Sequence, residues 1–213
     1  MNKLLHLLAG MAFAVALSAT LASCSEEDDS VEEFPNWQTT NENFYNSLFT
    51  DAQQRAAAGD NTWKVLRQWS MQDSVHLDAD DYVVARVINQ GTGLQTPLFT
   101  DSVRVMYSGR LLPSTSYPTG YVFDKTYAGD TFEPATSAVR GFTLSASTLR
   151  DGFSTALQYM HVGDRWEVYI PYALGYGTED YSSANIPGYS TLIFDITLTG
   201  FYRNGKLVEG RQI

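Results

Sequence analysis

Gly152-Phe153-Ser154-Thr155-Ala156-Leu157-Gln158-Tyr159-Met160-His161, followed by Trp166-Glu167-Val168-Tyr169-Ile170-Pro171, Leu174-Gly175-Tyr176-Gly177, Ile186-Pro187 and Thr191-Leu192-Ile193-Phe194-Asp195, is the stretch whose reading decides the fold. Phe153, Ala156, Leu157 and Met160 stand at i, i+3, i+4 and i+7, the stripe of a helix with one buried face, and Gly163 follows as a stop. Beyond it Leu192, Phe194, Ile196 and Leu198 alternate, which places them on one face of a half-buried strand. Taken with Tyr107 and the pair Phe123-Asp124 upstream, the stretch describes an aromatic-walled pocket on a small β-sheet.

Working outward, Tyr82-Val83-Val84-Ala85-Arg86-Val87-Ile88 and Ser102-Val103-Arg104-Val105-Met106-Tyr107 are rich in β-branched residues with polar interruptions and read as strands. Val103, Val105 and Tyr107 share a face, and Asn89-Gln90-Gly91-Thr92-Gly93 supplies a turn. Residues 113–120 and 178–185 read as loops. A single short helix crossing a twisted antiparallel sheet of about five strands is an α+β arrangement. Ahead of it, residues 37–58 turn helical: Thr39 and Glu42 are spaced as a capping box, Phe44, Leu48 and Ala52 recur on one face, and Gly59 sits where a C′ residue belongs. The aromatics Trp37, Phe44, Tyr45 and Phe49 are expected to dock on the following domain, a dimerisation surface being the alternative.

The N-terminus has the form of a secretory signal, with Lys3, a short apolar run from Leu4 to Leu17 and Leu21-Ala22-Ser23-Cys24. Cys24 is the only cysteine, so the chain contains no internal disulfide and must be held by its own core. Leu-Ala-Ser-Cys resembles a bacterial lipobox, which makes Cys24 the expected lipid-bearing first residue of a mature envelope protein. The acidic run after it, Ser25-Glu26-Glu27-Asp28-Asp29-Ser30, is a self-repelling linker, and it also resembles the surface-export signal of Bacteroidetes lipoproteins. The expected location is the cell envelope, on the periplasmic side of the outer membrane or at the cell surface. With 24 acidic against 14 basic residues the net charge is −10, and nucleic acid is excluded as a partner because phosphate contacts need a basic face.

Catalytic constellations are sparse. The three histidines, His6, His76 and His161, assemble into no metal set and pair with no nucleophile, and no phosphate loop or Gly-x-Ser-x-Gly motif is present. No metal and no cofactor is expected. Rotation about a prolyl amide is a chemistry that needs neither: its barrier is about 18–20 kcal/mol because rotation breaks amide resonance, and a catalyst need only favour the twisted amide.

Val105-Met106-Tyr107-Ser108-Gly109-Arg110-Leu111, Phe123-Asp124, Met160-His161-Val162-Gly163, Ile170-Pro171 through Tyr176-Gly177, Ile186-Pro187 and Thr191-Leu192-Ile193-Phe194-Asp195 together resemble an FKBP-type peptidyl-prolyl cis-trans isomerase domain over residues 80–202. The resemblance divides the chain into a signal (1–23), an acidic linker (24–36), a helical extension (37–79), the isomerase-like domain and a tail (203–213). It implies that Tyr107, Phe123, Phe153, Ile186 and Phe194, with Tyr176, surround a proline ring. It further implies that Asp124 is a buried carboxylate organising the site, that the Tyr176 hydroxyl donates to one substrate carbonyl, and that the backbone N–H near Arg150 holds the other. The implied partners are proline-containing peptides or unfolded exported proteins.

Four positions depart from the family pattern. Phe153 replaces the usual Trp of the pocket floor, Arg150 the usual Ile or Val, Asn185 an apolar residue before Ile186, and Arg140 a Phe two residues before Phe142. Two readings follow: a lipid-anchored isomerase assisting the folding of exported proteins, or an FKBP-like module that binds peptides or proteins with little catalysis.

Overall fold

The computed structural model describes residues 31–71, 78–130, 132–146 and 149–210. The signal, Cys24, the acidic run to Ser30 and His76 lie outside the described residues. Helix α1 spans Trp37–Ala57, ending at Ala58 with Gly59 at φ +88°, the left-handed turn that closes a helix. It starts three residues earlier than the expected box requires, on Asn36, itself left-handed at φ 50°. Thr39 is therefore inside the helix and caps nothing. Glu42 instead accepts from the Gln38 side chain at 2.8 Å, one turn back.

The strands are β1 Trp63–Arg67, β2 Tyr82–Asn89, β3 Ser102–Arg110, β4 Val122–Lys125, β5 Arg140–Thr143, β6 Arg165–Ile170, β7 Leu192–Arg203 and β8 Lys206–Val208, with helix α2, Asp151–Tyr159, between β5 and β6. Every pairing is antiparallel, in the order β1-β2-β6-β7-β3-β4, with β5 also on β3 and β8 on β7. The short strands β1, β5 and β8 widen the sheet beyond the five or so expected, and β1 is drawn from the segment read as a helical extension.

β4 and β5 share one edge of β3, β5 along residues 102–105 and β4 along 108–110. The gap between them is filled by Thr126: its amide donates to the Tyr107 carbonyl and its hydroxyl accepts from the Tyr107 amide, both at 2.9 Å. Splitting the edge in this way lets the chain leave the sheet beside Tyr107 without orphaning backbone groups.

Alternation sorts the two faces. Val83 and Ala85 of β2, Trp166, Val168 and Ile170 of β6, and Phe194, Ile196 and Leu198 of β7 pack under α2, whose Phe153, Ala156, Leu157 and Met160 are all buried, as the helical stripe requires. Val84 and Tyr169 point the other way, where α1 covers them with Tyr45, Leu48, Phe49 and Ala52. The buried face of α1 thus runs Trp37, Asn41, Tyr45, Ala52, with Phe44 against Tyr169 and Phe49 against Tyr82. The aromatics read as docking residues or a dimer surface cover the domain's own sheet.

α1 is also fastened to the start of β7. Trp37 Nε1 donates to Ser190 Oγ at 2.8 Å, and the Asn41 side chain accepts from the Thr191 amide at 2.7 Å while donating to the Trp37 carbonyl. Just before the helix, Glu33 Oε1 accepts from the Ser114 hydroxyl and the Ser116 amide, so the end of the acidic segment is tied to the loop of residues 113–120. Asp164, buried after α2, accepts from the amides of Gly91 and His161 and draws the connection after β2 onto the turn that follows the helix.

Candidate active site

Where α2 begins, the concave face of the sheet is left open as a cup of about 120 Å³. Engineered apolar cavities of about 150 Å³ hold a single benzene ring, so this space suits one small ring. Phe153, in the first turn of α2, is its floor, and Phe194 stands against it edge to face at 5.1 Å between centroids. Tyr107 and Phe142 approach Phe153 in the same manner at 5.7 and 5.8 Å, and Phe123 meets Phe194 at 5.5 Å and 84°. Edge-to-face packing of this kind fixes ring orientation as well as burying area. Gly109, opposite Asp124 and Phe194 in the sheet, makes the arrangement possible: a Cβ there would stand 2.6 Å from both the Phe123 and Phe194 rings.

Seven of the eight expected site residues line the cup: Tyr107, Phe123, Asp124, Arg150, Phe153, Tyr176 and Phe194. Ile186 does not. It is 1% exposed and faces a neighbouring cleft of about 570 Å³ between the start of α1 and the 178–189 loop. Its direction is set by a bridge with Tyr181, whose amide donates to the Ile186 carbonyl at 2.8 Å. Phe142 and Leu149 line the cup without having been assigned to it. Phe142 lies in the four-residue β5, too short to show alternation, and its pairing opposite Val103 on the split edge of β3 places it.

Asp124 also differs from expectation. Its side chain is 44% exposed, because β4 ends the strand order on that side among the described residues. It is held by bonds rather than by burial: the Tyr107 hydroxyl donates to Oδ2 at 2.5 Å, and Arg140 Nη1 donates to the same oxygen at 2.9 Å and to the Tyr107 oxygen at 2.5 Å. Burial, then the bond to and charge of Asp124, push the Tyr107 phenol well above a tyrosine's ordinary pKa, so it stays a donor. The Arg140 that displaces a family aromatic is thus the third member of a Tyr-Asp-Arg cluster closing one side of the cup.

On the other side Arg150, the N-cap of α2, lays its guanidinium 4.3 Å from the Tyr176 ring centroid and 5.7 Å from that of Tyr181. The two tyrosines stack at 4.5 Å and 27°, giving a three-layer wall. Burial raises the Tyr176 pKa, against the opposing effect of Arg150, which leaves its hydroxyl protonated. Among the described residues nothing accepts from the Arg150 backbone N–H. Asn185 points away from the cup: it adopts φ 52°, ψ 44°, a conformation Asn tolerates well, and its amide donates to the Tyr121 hydroxyl at 3.3 Å. Among the described residues no group of three or more His, Cys, Asp or Glu could hold a metal ion.

The molecule is thus of the class in which an antiparallel sheet wraps one short helix and leaves an aromatic cup at the helix start. Residues 94–199 match the family of FKBP-type peptidyl-prolyl cis-trans isomerases, and the domain belongs to that family. The FKBP-type 22 kDa peptidyl-prolyl cis-trans isomerase of Escherichia coli (strain K12) is 42% identical over 113 residues, 53% of this chain and 47% of that protein. Outer membrane protein MIP of Legionella longbeachae is 36% identical over 113 residues, 53% of this chain and 41% of that protein. The chain therefore spans about half the length of the curated relatives it matches. The crystal structure of the three FKBP domains of wheat FKBP73 shares the fold, with a TM-score of 0.50 at 22% identity over 67% of this chain and 52% of that one.

Proposed function

We propose that this chain is a peptidyl-prolyl cis-trans isomerase of the cell envelope, lipid-anchored through Cys24, that assists the folding of exported proteins. The observation that carries the catalytic reading is the cup itself: about 120 Å³, walled by aromatic rings and lined by two residues that carry donors, the Tyr176 hydroxyl and the Arg150 backbone N–H, from which nothing accepts among the described residues. The proline ring enters the cup and is stripped of water. The flanking carbonyls are then held by those donors rather than by solvent. A planar amide exposes its oxygen in one direction only, whereas a twisted amide has localised its nitrogen lone pair and turned its carbonyl. Fixed donors and an apolar surround favour the second state without any acid, base or covalent step. The Tyr107-Asp124-Arg140 cluster fixes the Tyr107 edge of the cup, so Asp124 acts by positioning.

Two-dimensional exchange NMR on a short Xaa-Pro peptide tests this reading. The wild-type protein should accelerate exchange well above the uncatalysed rate of tens to hundreds of seconds. Tyr176→Phe should slow it about tenfold, the worth of one hydrogen bond in the twisted state, and Asp124→Ala should slow it by freeing Tyr107 and Arg140. Exchange at the uncatalysed rate would sink the catalytic reading. It would favour the second, a peptide-binding module, for which the specific observation is the pair of arginines, Arg140 and Arg150, stacked on aromatic rings at the cup.

The envelope location rests on the signal and the lipobox-like Leu21-Ala22-Ser23-Cys24, and on the kinship with a relative named for the outer membrane. Cys24→Ala should move the protein from the detergent phase to the aqueous phase on extraction. Unchanged partitioning would remove the lipid anchor from the proposal.

A further inference from the structure

The cup contains one cation that nothing neutralises. Arg140 is paired, its guanidinium held by Asp124 and the Tyr107 hydroxyl. Arg150 is not: among the described residues no carboxylate forms an ion pair with it. Its neighbour Asp151 is exposed and forms no ion pair with it among the described residues. Its Nε is buried without a hydrogen-bond partner, and the guanidinium is held against the faces of Tyr176 and Tyr181. With Asp124 committed to Arg140 beside the cup, Arg150 is the lining charge without an ion-pair partner among the described residues, in a chain whose net charge is −10.

From this arrangement we infer that Arg150 is a specificity-determining residue, selecting peptides with Asp or Glu immediately before the proline. The inference rests on the isomerase-type placement of proline in the cup. A guanidinium stacked on aromatic rings keeps its charge and gives up part of its hydration, so its edge donors gain most from an acceptor that arrives with the substrate. A carboxylate meets that need best, because it matches the guanidinium fork with two parallel charge-assisted bonds. Tyr176 fixes which substrate residue supplies it. The hydroxyl of that ring is the proposed donor to the carbonyl preceding proline, and Arg150 covers the same ring. The side chain of the preceding residue leaves the Cα next to that carbonyl, so a short acidic stem turns back onto the guanidinium. A lysine in the same place meets an unpaired positive charge, and a leucine leaves the buried Nε unsatisfied. Selectivity thus comes from penalties on the wrong residues as well as from a bond to the right one.

The test uses the whole mature protein and tetrapeptides Ala-Xaa-Pro-Phe with Xaa as Glu, Leu or Lys, comparing kcat/KM by exchange NMR and Kd by chemical-shift titration. Glu should exceed Leu about fivefold in the wild type, with Lys below both, the scale of one partly exposed charged bond. Raising salt from 0.1 M to 1 M, which shortens the Debye length from about 10 Å to about 3 Å, should compress the ratio. In Arg150→Ile the Glu-to-Leu ratio should fall to about one, and Arg150→Lys should restore part of it. If Arg150→Ile does not fold, the wild-type ratio and its salt dependence decide alone. Equal values for Glu and Leu in the wild type, a ratio untouched by Arg150→Ile, or a preference that appears only when the acid follows proline would each overturn the assignment. The Kd series separates this from the function itself: if no peptide is turned over, the isomerase reading fails, and the order of the dissociation constants still judges Arg150.

Discussion

Phe153→Ala is expected to lower the stability of the domain by about 3–5 kcal/mol, the range for deleting a large buried aromatic, and to abolish proline binding in the same step. The ring is 5% exposed and is met edge-on by Tyr107, Phe142 and Phe194, so its removal strips a partner from three other walls. It also joins the new void to the cup above it. Water can enter from that side, which places the loss toward the lower part of the range, but a cup without a floor no longer dries a proline ring. Urea midpoints and peptide titration measured on one preparation check both halves. A variant with the wild-type midpoint would show that the ring is no part of the core, and one with weakened stability and intact binding would show that it is no floor.

Trp37→Ala should cost a comparable about 3–5 kcal/mol, although Trp37 lies outside the matched segment 94–199. Its indole is 8% exposed, stands 4.8 Å from Phe34 and donates to Ser190 across 153 residues of sequence. Its loss frees the N-terminal turn of α1, and with it Asn41, whose side chain is the acceptor for the buried Thr191 amide. That amide leads directly into β7, which carries Phe194 in the cup wall. The variant should therefore also weaken peptide binding at a distance, with faster amide exchange concentrated in residues 186–192. Unchanged stability would reduce the extension to an appendage, and unchanged exchange in that segment would sever it from the cup.

The parts of the fold legible in the sequence were those whose periodicity one buried face enforces. The stripe of α2 and the alternation of β3 and β7 could be read directly because each element packs over its whole length on one side. β1, β5 and β8 could not, since three to five residues at a sheet edge carry too little pattern. α1 was legible as a helix and its face Phe44, Leu48 and Ala52 does pack on the domain, but the same side also carries the polar Asn41, which hydrophobicity does not reveal because it is buried to serve a backbone amide. At the site, the aromatic lining followed from ordered motifs. The electrostatics did not, because the Asp124-Arg140 pair is made by two edge strands on opposite sides of a fourteen-residue excursion, residues 126–139, and no local spacing announces it. The orientations of Ile186 and Asn185 likewise depend on the Tyr181 bridge and a left-handed turn that only coordinates display.

The position of β7 in the strand order governs when the chain can fold. β1, β2 and β6 form one group and β3, β4 and β5 another, and among the described residues the strand that joins them is β7, residues 192–203. The first helix, too, is pinned by residues 190 and 191. Until β7 is in place the domain therefore holds two open half-sheets and an undocked helix, and closure over such sequence separations is slow. Delayed closure means that the cup, whose wall includes Phe194 of that joining strand, forms only after both half-sheets have been made.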